Sequence, residues 1–397
     1  MSDGFEEGRI LFRSDDLLVR QVGEIAAGGA VAVTFDCYGD WHGNAVKEGF
    51  GERHFAINAR AAIHVMPRGN DWYQYPTTEA ALAAVKQAVA GAARVVAYGS
   101  SMGAYAAIRF ADRIAATAVL ALSPQYSVDP AKAPFEKRWL QEGRTIAFRP
   151  ELDGPIRSSV RPVIAYDDRS IDRRHVDRIA ADIAVERLPL PFGSHPVGLA
   201  LMEAGLLQPI LHDILDGSFD GDAVRAGVVE RLRGTSTYWA ERARAQPRWL
   251  KWRAVGFARR ALALAPQSPL THHVLATSLD RVRRYTESLP LHEEVARLSD
   301  RQPGYLRPYS FARARYGDLE GALALAREVS AADPGRARNH EWEAWLLGML
   351  GRAGEALPAI DRALAIDAEP PNYTKLRDAL IAGAPLRRLH PYKRARA

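Results

Sequence analysis

The chain has 397 residues, 47% of them hydrophobic and 25% charged, and a formal net charge of +6. That length points to two domains or three, and the apolar content is that of a globular chain with room for a large core. The one cysteine, Cys37, excludes an intramolecular disulfide framework.

The excess positive charge is arginine scattered among acids. The only dense basic run is the tail, from Arg387-Arg388 to Arg394-Ala395-Arg396. No nucleic-acid module is recognisable, so no nucleic-acid partner is expected. The start, Met1 to Glu7, is acidic and polar and lacks the apolar core of a signal peptide. No apolar run is long enough to span a bilayer. A soluble, cytoplasmic protein is the expectation.

In chain order, Arg9–Val22 alternates weakly and predicts a hairpin turning at Ser14-Asp15-Asp16. Ala30–Phe35 is a short continuous apolar run, the pattern of a buried strand, and it ends in a loop from Asp36. Ala61–Met66 predicts another strand. A helix runs from Thr77 or Thr78, as cap, through Ala90. Ala93–Ala97 is a strand that enters the turn Tyr98-Gly99-Ser100-Ser101-Met102-Gly103, and a helix follows through Ala111. Ala116–Leu122 is a strand, and 125–158 an irregular insertion with helical character around Phe135–Gln141. Val163–Tyr166 is a strand, Arg173–Ile183 a helix, Ala184–Leu190 the last strand and Val197–Leu215 a long amphipathic helix. Near-continuous apolar strands alternating with helices predict an α/β fold: a mostly parallel sheet with helices on both faces.

Asp216–Asp222 has the composition of a linker. Beyond it every pattern is helical, and the pattern repeats. Gly317, Ala322, Ala326, Val329 and Pro334 recur 34 residues later as Gly351, Ala356, Ile360, Ala363 and Ala368. Ala254, Ala258, Ala261 and Pro266 share the internal spacing, and Val295, Leu298 and Pro303 form a degenerate copy. Small residues at this spacing let paired helices approach closely. The expected division is a domain over 1–216 and a second over 223–390.

The pattern Gly99-x-Ser101-x-Gly103 lies between a strand and a helix, the context of a nucleophile elbow. Its physics is steric: strand and helix crowd the positions two before and two after the serine, and glycine fits there. The Met102 N–H, at the helix start, points where an oxyanion would form. A second such donor is expected after Phe35, from the N–H of Asp36 or Cys37. A serine hydroxyl needs a base, and the base needs an orienting acid. His195, in the loop between the last strand and the last helix, is the candidate base. Asp167, Asp168 and Asp172 all follow the strand ending at Tyr166. Loop spacing favours Asp172, with Asp167 as the alternative acid. Cys37 as nucleophile is the weaker option, with only His42 nearby in sequence. No metal-ligand spacing and no phosphate-cradling loop appears, so no metal and no cofactor is expected; adjacent His272 and His273 would diverge on a helix. Trp72, Tyr73, Tyr75, Tyr105 and Tyr126 fall near the same predicted sheet edge, where they would either stack on substrate or build core.

On Gly99-Ser100-Ser101-Met102-Gly103 and His195, residues 10–215 resemble the alpha/beta-hydrolase superfamily. The resemblance implies acyl transfer to water through a Ser101 acyl-enzyme, with Asp172 orienting His195. Two departures stand out: the loop after Phe35 lacks the usual His-Gly pair, and Ala104 replaces a frequent glycine. The stretch Asn70–Pro76, with the elbow, is also similar to hydrolase-like proteins of bacterial glycan loci, which extends the substrate class from a small-molecule ester to a glycan ester, and the acceptor from water to a sugar hydroxyl. Residues 223–384 resemble the tetratricopeptide repeat (TPR), without its early tryptophan–leucine–glycine signature. That resemblance implies a protein partner, and with it a non-catalytic scaffold as the competing function.

Overall fold

The computed structural model describes residues 8–39, 48–368 and 370–386. The acidic start, His42 and the basic tail from Arg387 lie outside the described residues. The chain forms two compact units that part between Tyr238 and Trp239. That is later than the break expected at 216–222, because Asp220 caps a further helix with its side chain and Arg225 of that helix donates to the Arg187 carbonyl.

The first unit is built on an eight-stranded sheet. Its strands are β1 (Arg9–Arg13), β2 (Leu17–Val22), β3 (Ala30–Phe35), β4 (Ala62–Pro67), β5 (Arg94–Ser100), β6 (Ala118–Leu122), β7 (Val163–Tyr166) and β8 (Glu186–Pro189). They lie in the order β1-β2-β4-β3-β5-β6-β7-β8. β2 runs antiparallel to β1 and β4, and every pair from β4 to β8 is parallel. The parallel strands are apolar on both faces because helices cover both. Its helices are α1 (Glu52–Ile57), α2 (Thr78–Ala88), α3 (Met102–Arg109), α4 (Leu140–Thr145), α5 (Pro150–Asp153), α6 (Asp172–Asp182), α7 (Gly198–Glu203), α8 (Leu207–Asp216) and α9 (Gly221–Arg233).

Val31, Val33, Phe35, Val95, Ala97, Val119 and Ile164 pack against α2, α3 and α6 in one core. The opposite face of β3, β5 and β6 meets α8. The long helix expected over Val197–Leu215 is two helices, α7 and α8, because Gly205 takes a left-handed φ of 65° between them. The insertion holds two short helices, α4 and α5, and the one expected around Phe135–Gln141 is α4, which starts after Trp139. Thr77 stands at the N-cap of α2 without a side-chain capping bond, its hydroxyl meeting Ser14 instead, and Thr78 donates to the Tyr73 carbonyl.

The second unit is helical. Helices begin at Lys251, Tyr285, Leu319 and Ala353, a constant 34 residues apart. Their partners begin at Pro269, Pro303, Ala337 and Pro371, on the same 34-residue step. Sequence neighbours pack on one another, as in a solenoid of helical hairpins. The small residues of the repeat sit at those contacts: Ala254, Ala258, Ala261, Ala322, Ala356 and Ala363 are wholly buried. Gly317 and Gly351 end their helices in left-handed turns. Trp342 and Trp345 stack at the centre of the last hairpins, and the Trp342 indole N–H donates to Ser310 Oγ at 2.8 Å.

Candidate active site

The elbow forms because β5 and α3 are joined by one residue. Ser101 has φ 51° and ψ −115°, a conformation that side chains rarely adopt and that the surroundings must hold. Its N–H donates to the Leu122 carbonyl at 2.8 Å, which ties the turn to β6. A Cβ on Gly99 would lie 2.3 Å from the Gly103 carbonyl, and a Cβ on Gly103 would lie 2.1 Å from the Phe35 carbonyl oxygen. Both positions therefore require glycine. Ser101 faces the carboxyl ends of the parallel strands, where wound sheets bind ligands.

Three loops meet there. Ser101 Oγ lies 3.0 Å from His195 Nε2, and His195 Nδ1 lies 2.7 Å from Asp172 Oδ2. Asp172 is the first residue of α6, and His195 stands between β8 and α7. The carboxylate on Nδ1 selects the tautomer that leaves Nε2 as an acceptor for the serine hydroxyl. Asp172 is wholly buried. Burial alone would raise its pKa, but the hydrogen bond and charge of His195, together with Arg138, outweigh it and hold the carboxyl below its ordinary value.

Asp167, the alternative acid, does another job. It accepts the N–H groups of Arg169, Phe192 and Ser194 at 2.9, 3.1 and 3.2 Å, and so shapes the loop that carries His195. Burial pushes its carboxyl up to about 6 against the pull of these donors. Asp168 lies 3.8 Å from Arg169.

Of the two alternatives for the one donor expected after Phe35, Asp36 is corrected: its N–H goes to the Val65 carbonyl at 3.3 Å and extends the sheet. The Asp36 side chain accepts from the Phe50 N–H at 2.7 Å. Cys37 is half-buried one residue further on. Met102 opens α3, so its N–H has no acceptor within the helix.

Sequence reasoning missed Gln125, Glu136 and Arg138, which come from the insertion and follow no periodicity, and His175, which lies on α6. Gln125 Nε2 donates to Ser101 Oγ at 2.9 Å and lies 3.5 Å from His195 Nε2. Gln125 Oε1 accepts the Trp72 indole N–H at 3.3 Å. On the far side of Asp172, Arg138 reaches Oδ1 at 2.9 Å and grips Glu136 with two nitrogens. Glu136 also contacts His175 Nε2 at 2.9 Å, while His175 Nδ1 accepts the Tyr126 N–H. That acceptor role places the His175 proton on Nε2, and burial lowers its pKa so that the ring stays neutral. Burial would raise Glu136, yet the bonds from His175 and Arg138 hold it well below the carboxylate range.

The aromatics named from the sequence are buried: Trp72, Tyr73, Tyr75, Tyr105 and Tyr126 all belong to the core. Tyr105 sits on α3, and its hydroxyl donates to Asp153 at 2.8 Å. Among the described residues, no three His, Cys, Asp or Glu side chains are grouped to hold a metal. His272 contacts the Ser268 carbonyl and His273 packs on Tyr305.

No family model matches the chain, and no curated protein does. Solved structures that resemble it include TPR proteins. YrrB, a TPR protein with an unusual peptide-binding site, is 17% identical over 45% of this chain and 90% of that one, with a TM-score of 0.35. A thermophilic TPR protein of Thermus thermophilus is 16% identical over 45% and 99%, also at 0.35. MamA from Desulfovibrio magneticus RS-1 is 13% identical over 37% and 90%, at 0.33.

Proposed function

We propose that the first unit is a serine hydrolase of the alpha/beta-hydrolase type acting on carboxylic esters, and that the helical repeats bind a protein partner. The observation that carries the reading is the continuous contact Ser101–His195–Asp172, at 3.0 and 2.7 Å, from residues far apart in sequence. Ser101 Oγ attacks the ester carbonyl as its proton passes to His195 Nε2. The carbonyl electron pair moves onto oxygen, which the Met102 N–H faces. Collapse expels the alkoxide, which takes the proton back from His195. Water then repeats the sequence on the acyl-enzyme and releases the acid. Asp172 holds the imidazole and offsets its transient charge; Arg138 in turn holds Asp172.

The test is labelling of the full chain by a fluorophosphonate. Wild type is expected to label and Ser101→Ala not to. Equal labelling of both, or labelling of neither, sinks the reading. A second reading, a hydrolase-shaped scaffold without catalysis, is favoured by the helical repeats of the second unit, since repeat surfaces serve binding. It requires wild type to resist the probe and a partner to be retained by the repeats.

A further inference from the structure

We propose that the side-chain amide of Gln125 is an oxyanion donor of this site, aimed by the indole N–H of Trp72. The inference rests on the hydrolase reading above.

An oxyanion gains from more than one donor; of the two N–H groups considered after Phe35, that of Asp36 is spent on Val65 and that of Cys37 is still a candidate. A side-chain donor already stands on the nucleophile: Gln125 Nε2 is 2.9 Å from Ser101 Oγ. Its position is not left to chance. The two ends of an amide look alike sterically, but an indole N–H only donates. Trp72 Nε1 at 3.3 Å from Oε1 therefore forces oxygen toward Trp72 and the NH₂ group toward Ser101. Gln125 is 1% exposed and Trp72 is wholly buried, so neither side chain swings into solvent. Around side chains this deeply buried a fixed dipole acts more strongly than it would in water.

The support behind Trp72 is strained and heavily tied. Trp72 and Tyr73 both have left-handed φ, 48° and 60°. Gln74 Nε2 donates to the Trp72 carbonyl at 3.0 Å and to the Tyr105 hydroxyl at 2.9 Å. The Tyr73 hydroxyl donates to the Asp36 carbonyl at 2.9 Å, and Thr78 to the Tyr73 carbonyl at 2.8 Å. Two consecutive unfavourable conformations persist only where the surroundings over-determine them. Here they deliver one N–H to the oxygen of the amide that touches the nucleophile.

The chemistry follows without a new reactant. At rest the serine hydroxyl accepts from Gln125 and donates to His195. When Oγ bonds to the acyl carbon, the carbonyl oxygen becomes the anion one bond away from that carbon. The NH₂ group, already against Oγ, shifts its hydrogen bond to that oxygen while Trp72 keeps hold of the other end.

The test compares wild type, Gln125→Ala, Gln125→Glu and Trp72→Phe, each as the full chain, on p-nitrophenyl acetate and on phenylboronic acid, whose anionic tetrahedral serine adduct sets a boron-bound oxygen where the oxyanion would be. Gln125→Ala should lower kcat by roughly 10²–10³-fold with little change in KM, and weaken the boronate by a similar factor. Gln125→Glu keeps the shape but turns oxygen toward the anion, and should fall at least as far. Trp72→Phe loses the aim and should fall less. Gln125→Glu retaining kcat within twofold of wild type overturns the proposal, since a packing role alone would survive it; should Gln125→Ala not fold, that variant decides alone. Wild type without Ser101-dependent turnover overturns the hydrolase reading itself, and this one with it.

Discussion

At the scale of single residues, the two acids after β7 separate by what they touch. Asp172 faces an imidazole and a guanidinium and is held ionised. Asp167 accepts from three backbone amides, and burial, with the Asp168 carboxylate adding to it, pushes its pKa up to about 6. A folded-state pKa above the unfolded value of about 3.9 means that stability is fully present below the unfolded value and is lost as pH rises toward 6. Asp167→Asn removes that titration. The unfolding free energy of the variant relative to wild type should therefore climb by about 2 kcal/mol between pH 4 and pH 6.5, measured by urea titration of each protein at both pH values. A constant difference would mean that the carboxylate is already ionised at pH 4. Sequence spacing favours Asp172 but offers no means of seeing what Asp167 does, because its partners are backbone amides of Phe192 and Ser194, which no side-chain pattern encodes.

At the scale of elements, the elbow is a meeting of three backbones. Gly99 faces Gly103, and Gly103 faces the end of β3. Gly103→Ala places a methyl where the Phe35 carbonyl now stands, and β3 has no room to withdraw inside a sheet paired on both sides. The substitution should cost about 3 kcal/mol or more, seen as a lower denaturant midpoint, and should abolish probe labelling. Gly91→Ala, with nothing within 4 Å of the new carbon, is the control and should leave both unchanged. These elements were legible in the sequence for a physical reason: strands buried on both faces read as unbroken apolar runs, and Ala30–Phe35 and Val163–Tyr166 coincide with β3 and β7. The insertion was not legible. Gln125, Glu136 and Arg138 are polar residues in loop, and only the path of the chain brings them to Ser101 and Asp172. The Val197–Leu215 stretch read as one helix because its apolar spacing is continuous, and Gly205 alone marks the break.

At the scale of the molecule, every residue of the Ser101–His195–Asp172 contact, with Gln125, Trp72 and Arg138, lies in the unit that ends at Tyr238. The repeats hold a core of their own around Trp342, Trp345 and Leu346. A chain cut to residues 1–238 should therefore retain fluorophosphonate labelling at a rate within a few-fold of the full protein. Loss of labelling with retained circular dichroism would mean that catalysis depends on the repeats. The repeat period was readable because small residues must recur wherever two helices close on each other, and the helix starts keep that 34-residue step.

β3 is paired with β5 as far as Phe35 and Gly99, and Cys37 follows Phe35 by two residues as Ser101 follows Gly99. The only thiol in the 397-residue chain, half-buried, thus follows the strand that neighbours the one leading into Ser101. A fluorophore attached there by maleimide chemistry would be a resident reporter of occupancy, with no competing cysteine to remove first.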